Sequence, residues 1–166
     1  VVLFDSLAAL RAAPREAVEG KIVYVGHAMQ RTQDGSSYGY FNPVRTAGPS
    51  VAAQKGALAY LLRSIGTDSH RLPHPGSLRY AEHAPKIPAL ALSNPDADQV
   101  ERILADRGVL VVKLHVETSR IPSTQSANVI AEIRGHAAPE EVVVIGAHLD
   151  SWDLGTGAVD DGAGVG

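Results

Sequence analysis

The residues with the clearest chemical capacity lie in EVVVIGAHLDSWDLGTGAVDDGAGVG, residues 141–166. His148 and Asp150 stand two apart, directly after an apolar run. The acidic pair Asp160 and Asp161 follows on a loop that also holds Gly157, Gly162 and Gly164. Imidazole nitrogen and carboxylate oxygen suit a borderline divalent metal such as zinc. Each piece alone has an ordinary explanation: His-x-Asp is common, and an acidic pair among glycines also describes a solvated turn or a calcium-type loop. The order selects metal chemistry: a buried-strand pattern, then an imidazole, then paired carboxylates on a tight loop.

These donors need elements to hold them. Val142, Val143, Val144 and Ile145 form a β-branched run that predicts a buried strand. Its carboxyl end delivers His148, and strand ends of that kind are where α/β sheets place their ligands. Gly135 to Pro139, just before this strand, reads as a turn. Thr118 to Ser126 is polar, contains Pro122, and reads as a hinge between domains.

The string His-x-Asp, then Ser-Trp, then Gly-Ala-x-Asp-Asp-Gly resembles the first half of the metal site of the M28 family of co-catalytic di-zinc peptidases, in its carboxypeptidase branch. ANVIAEIRG, from Ala127, resembles the strand that opens the catalytic domain of that family, which implies a strand over Ala127 to Arg134 with the Val142 strand pairing back on it, antiparallel. The resemblance implies a pair of zinc ions in the intact site, with His148 ligating one and Asp160 bridging both. Asp150 would serve catalysis by orienting His148 through a hydrogen bond, as ligating histidines usually require. The Asp160–Asp161 peptide would be cis. The implied activity is hydrolysis of dipeptides or terminal peptide bonds by a metal-activated water. The family's general-base glutamate and remaining ligands come later in its sequence pattern; Glu117, Glu132, Glu140 and Glu141 precede the motif and match none of them. The segment alone is therefore expected to bind zinc weakly and to leave peptides intact.

Upstream, Gly20-Lys21-Ile22-Val23 entering a β-run, and Ile87-Pro88 before another, resemble the protease-associated (PA) domain. The expected fold class is α/β: an N-terminal segment over residues 1–20, a mixed α/β PA domain over 21–120, and the first strands of a zinc-peptidase α/β domain over 121–166. Asp5 or Ser6 caps a short helix through Ala13, with Leu7, Ala8 and Leu10 on one face, and Pro14 ends it. Val18 to Val25 reads as turn then strand. Residues 27–49 read as a loop whose Tyr38, Tyr40 and Phe41 either pack on a neighbour or pin the loop. Pro49 to Lys55 predicts a helix closed by Gly56; over Ala57 to Ile65 periodicity leaves strand and helix open, and the PA resemblance implies a strand.

Residues 66–86 predict a loop with His70, His74 and His83. Pro73 and Pro75 argue against a helical His70/His74 metal pair, leaving ordinary loop histidines or a substrate-facing His74. Lys86 to Leu92 predicts a strand. A helix follows from Asn94 to about Asp106, with Val100, Ile103 and Leu104 inward and Pro95 in its permitted first turn. Val109 to Glu117 predicts a strand with Leu110, Val112, Leu114 and Val116 on one face and Lys113 and His115 on the other.

The net charge of −3, with signs interspersed, argues against nucleic acid or an anionic membrane as partner. No apolar run approaches the ~18 residues of a membrane span. The absence of cysteine excludes disulfides and thiolate chemistry. The resemblance points to a peptide or dipeptide substrate and a secreted or periplasmic setting, and leaves room for a homodimer. A chain that starts at Val1 and stops at Gly166 inside a glycine loop reads as a segment of a longer protein. The competing reading is a PA-type binding module carrying a non-catalytic peptidase remnant; intact His148, Asp150 and Asp160 favour the enzyme.

Overall fold

Parallel strands are buried on both faces, so they must be apolar along their length and helices must supply the cover. The computed structural model describes residues 1–119, 121, 123–152 and 155–166. Its larger unit, Val1–Val116, has this arrangement. β1 (Val2–Phe4), β2 (Ile22–Val25), β3 (Ala59–Arg63) and β4 (Ala89–Leu92) form a four-stranded parallel sheet in sequence order. The register sets Val2 beside Val23, Val23 beside Tyr60, and Tyr60 beside Ala89. Every residue of the interior strand β3 is buried. The helices are α1 (Leu7–Ala12), α2 (Ser36–Thr46), α3 (Gly48–Gln54) and α4 (Asn94–Arg107), with one 3₁₀ turn at Arg15–Ala17.

Strand side chains alternate, and the core divides accordingly. Val23, Val25, Tyr60 and Leu62 pack with Leu7, Leu10, Phe41, Val44 and Ala52 from α1, α2 and α3. Tyr24 and Leu61 face the other way, onto Ala97, Val100 and Leu104 of α4. The result is three layers, helix–sheet–helix. A charged network ties α4 down: the Tyr24 hydroxyl donates to Glu101 Oε1 at 2.7 Å, and Arg63 Nη2 lies 2.6 Å from Asp98 Oδ1 and 3.0 Å from Glu101 Oε1.

The helix ends follow their sequence signals. Ser6 Oγ accepts from the Ala9 amide at 3.1 Å to start α1, and Leu7 and Leu10 are buried. Ala8, expected inward, is exposed, because the inward stripe of this short helix is filled by the two leucines. Ser93 caps α4, and Gly108 ends it at φ +68°. Gly56, at φ +82°, follows α3 as the sequence predicts.

Other elements depart from expectation. β1 was not anticipated; its three residues are too short to show a pattern but pair fully with β2. Residues 36–46, read as loop, form α2 despite containing Gly39 and Pro43. Tertiary contact overrides poor propensity here: Phe41 and Val44 are buried, and the Tyr60 hydroxyl donates to Val44 O at 2.7 Å. Close approach also demands Gly48, where a Cβ would stand 2.1 Å from the Tyr60 hydroxyl.

The strands predicted at Val109–Glu117, Ala127–Arg134 and Val142–Ile145 are absent among the described residues. Over 109–117 the two-residue alternation survives, with Leu110, Val112 and Leu114 half-buried and Val109, Val111, Lys113 and His115 exposed; Val116 is exposed rather than sharing the inner face. Alternation assigns faces, but a ladder also needs a strand edge to bond to. The smaller unit, Glu117–Gly166, has turns at 136–140 and one short helix, α5 (Gly162–Val165). Val142–Ile145 are exposed, and the expected antiparallel pair does not form. A two-stranded pair is marginal in water, and without cover for its apolar face no burial offsets the ordering of its backbone. Arg120 and Pro122 of the predicted hinge lie outside the described residues. Among the described residues no helix is long and apolar enough to cross a membrane.

Leu10 is fully buried between α1 and the sheet. Leu10→Ala is expected to destabilise the protein by about 2–5 kcal/mol. The matched change at exposed Leu58 should stay within about 0.5 kcal/mol. Urea denaturation followed by circular dichroism checks both.

Candidate metal centre

With the apolar run unpaired, local contacts place the chemistry-bearing residues. The His148 amide donates to Asp161 Oδ2 at 3.2 Å. The Gly162 amide donates to Gly157 O at 2.7 Å and the Gly164 amide to Asp161 O at 2.8 Å, which draws the loop into a tight return. Gly157 sits at φ +66°, and a Cβ there would stand 2.8 Å from Ser151 Cβ, so this position accepts glycine alone. The Asp160–Asp161 peptide is cis.

This frame brings together the three side chains singled out in the sequence. His148 Nε2 lies 2.8 Å from Asp160 Oδ1. On its other side, Nδ1 lies 2.8 Å from the Asp150 backbone oxygen and 3.1 Å from Asp150 Oδ1. His148, Asp150, Ser151, Trp152 and Asp160 line an open pocket of roughly 380 Å³. Both imidazole nitrogens face oxygen acceptors, which favours the doubly protonated ring. The Asp160 carboxylate, then the Asp150 backbone oxygen, hold the His148 pKa above its ordinary value.

The donor set fits a zinc ion. Ligands bound to tetrahedral zinc at 2.0–2.2 Å stand about 3.3 Å from each other. The 2.8 Å between Nε2 and Oδ1 has to widen by only about half an ångström to admit the ion. Asp150 on Nδ1 fixes the tautomer that leaves Nε2 as the metal-facing atom. Among the described residues no group of three or more His, Cys, Asp or Glu side chains surrounds a metal position. His148 and Asp160 are thus two candidate donors, fewer than the three protein ligands a catalytic zinc needs.

His70, His74, His83 and His115 belong to the larger unit. His70 sits 3.3 Å from Asp68 and accepts from the Leu72 amide. His83 and His115 are exposed. His74 Nε2 accepts from Arg45 Nη1 at 3.1 Å and lies 3.1 Å from the Tyr38 hydroxyl. Of the loop aromatics, Phe41 is buried while Tyr40 is largely exposed. Sequence reasoning noted Asp161 only as half of an acidic pair and missed that its carboxylate anchors the His148 amide. It missed buried Arg45 as well; the Asn42–Arg45 contact at 2.9 Å, three residues apart, becomes visible only once α2 is read as helix.

Residues 128–166 match the family model described as Peptidase family M28. The chain is 43% identical to carboxypeptidase Q of Pongo abelii over 122 residues, which is 73% of this chain and 26% of that protein. It is 38% identical to carboxypeptidase Q of Xenopus laevis over 166 residues, covering 99% of this chain and 34% of that one. The solved structure of a peptidase M28 precursor from Shewanella amazonensis SB2B superposes with a TM-score of 0.89 at 44% identity, over 99% of this chain and 37% of that chain. The chain thus spans between a quarter and two fifths of the length of these relatives. It is a relative of peptidase family M28 of the carboxypeptidase Q type, and its residues 128–166 carry the family's own pattern.

Proposed function

We propose that this chain supplies part of the active site of a di-zinc metallo-exopeptidase acting on dipeptides or terminal peptide bonds. The observation that carries the reading is the approach of His148 Nε2 to Asp160 Oδ1 while Asp150 holds Nδ1. In this reading His148 would ligate one ion, Asp160 would be shared between the two, and Asp150 would keep the His148 lone pair aimed at the metal. Zinc held there would lower the pKa of a water to about 7, making a nucleophile available at neutral pH. Asp161 fixes the His148 backbone, and Ser151 and Trp152 wall the pocket. Residues 21–120 are read as a PA domain that shapes substrate access. A secreted or periplasmic setting goes with this assignment, as does room for a homodimer.

The alternative is a PA-type binding module with a non-catalytic peptidase remnant. Mutation separates the two. In the full polypeptide that carries this segment, His148→Ala and Asp160→Asn are each expected to abolish dipeptide hydrolysis. Asp150→Asn should weaken zinc binding about 10–100-fold while leaving residual turnover. The 166-residue chain alone should bind zinc more weakly than micromolar and turn over no dipeptide. Full activity after His148→Ala, read as kcat/KM, contradicts the enzyme assignment.

The metal-free chain has a pH signature. The Asp160 contact raises the His148 pKa, so its stabilisation is fully present below the ordinary histidine value of about 6.5 and is lost as pH rises through the raised value. Zinc needs the neutral ring, so zinc affinity should climb over that same rise in pH. NMR titration of the His148 imidazole is expected to give a midpoint above that of an unperturbed histidine. Asp160→Asn should lower it; an unchanged midpoint would show that the contact is not made in solution.

A further inference from the structure

All strands of the larger unit are parallel, so their carboxyl ends share one edge of the sheet, the edge where α/β sheets hold ligands. At that edge lies a crevice of roughly 300 Å³. It is bounded by the segment after β2 (Met29, Arg31), the end of β3 and its following loop (Arg63, Asp68), and the start of α4 (Asn94, Asp98). Its volume is at the lower end for small-molecule sites.

The lining charges are of both signs: Arg31 and Arg63 against Asp68 and Asp98. Arg63 is 7% exposed. Its Nη2 is engaged by Asp98 and Glu101, its Nη1 reaches Asn94 O only at 3.4 Å, and its Nε has no partner among the described residues. A buried guanidinium edge left unsatisfied is costly, and carboxylate is the ligand that matches it best. Arg31 is exposed at the rim and adds a second cation. Asp68, paired at its outer side with His70, and Asp98, half open to solvent, leave carboxylate oxygens for an ammonium. A net anion meets the two aspartates and a net cation meets the two arginines, so the balance of charge disfavours both. The 14-residue helix α4 also starts here, and its positive end favours a carboxylate.

We propose that this crevice binds a small zwitterion of the α-amino acid class, its carboxylate toward Arg63, Arg31 and the start of α4, its ammonium toward Asp68 and Asp98. The site lies wholly within residues 1–116 and does not depend on the metallopeptidase reading.

The test is ¹H–¹⁵N NMR of the 166-residue chain with EDTA present, which removes any contribution from metal at His148. L-alanine is compared with N-acetyl-L-alanine, which keeps only the carboxylate, and L-alaninamide, which keeps only the ammonium. L-alanine at millimolar concentration is expected to shift the amides of Met29, Thr67 and Asp68 saturably, with neither capped compound doing so. Arg31→Ala and Asp68→Asn, both surface changes, should each weaken L-alanine about ten-fold. Absence of saturable shifts, equal response to either capped compound, or undiminished binding by both variants would overturn the assignment.

Discussion

The structure depends on one constraint: a parallel sheet tolerates no bare face. β3 meets it completely, with all its residues buried, and every other part of the larger unit is arranged around that requirement. The alternation along β2 and β3 sends Val23, Val25, Tyr60 and Leu62 to one side and Tyr24 and Leu61 to the other. Helices must therefore flank both sides. The Gly48 approach to the Tyr60 ring and the Glu101 contact to the Tyr24 hydroxyl are the places where that cover is locked down. Buried Tyr24 is held in its neutral form by desolvation and by the Glu101 carboxylate, so its hydroxyl remains a donor at any ordinary pH.

The same constraint explains the contrast with the smaller unit. Val142 to Ile145 have the composition of a buried strand, yet they are exposed. Composition states what a segment can accept; only neighbours turn acceptance into burial. The His148–Asp160 pair is nevertheless organised, because its restraints are short-range. The Gly157–Gly162 hydrogen bond, the Asp161 contact to the His148 amide and the Asp150 contacts to Nδ1 all join residues within fourteen positions of one another. Contacts of this kind do not need a completed sheet to hold His148 beside Asp160.

Legibility in the sequence follows this division. β2, β4, α1, α3 and α4 were readable because local signals agree with burial: Ser6 before Leu7, Pro95 in a first turn, Gly56 and Gly108 as stops. In β3 an apolar run left strand and helix open, and only the PA resemblance favoured the strand. α2 was unreadable because Gly39 and Pro43 speak against helix, and the contacts that override them come from β3, remote in sequence. β1 was too short to show periodicity. The over-predicted strands failed for the opposite reason: their local signals are strong, and the missing ingredient is a bonding edge. At the candidate site, the sequence singled out His148, Asp150 and Asp160, which the structure brings within hydrogen-bonding distance, whereas the anchoring work of Asp161 required coordinates.

The central claim is that His148 and Asp160 hold zinc between them. Anomalous diffraction at the zinc absorption edge, on crystals soaked in millimolar zinc, tests it most directly. The account predicts a peak about 2.0–2.2 Å from both His148 Nε2 and an Asp160 carboxylate oxygen. Peaks confined to other residues, with the imidazole still bonded directly to the carboxylate, would contradict it.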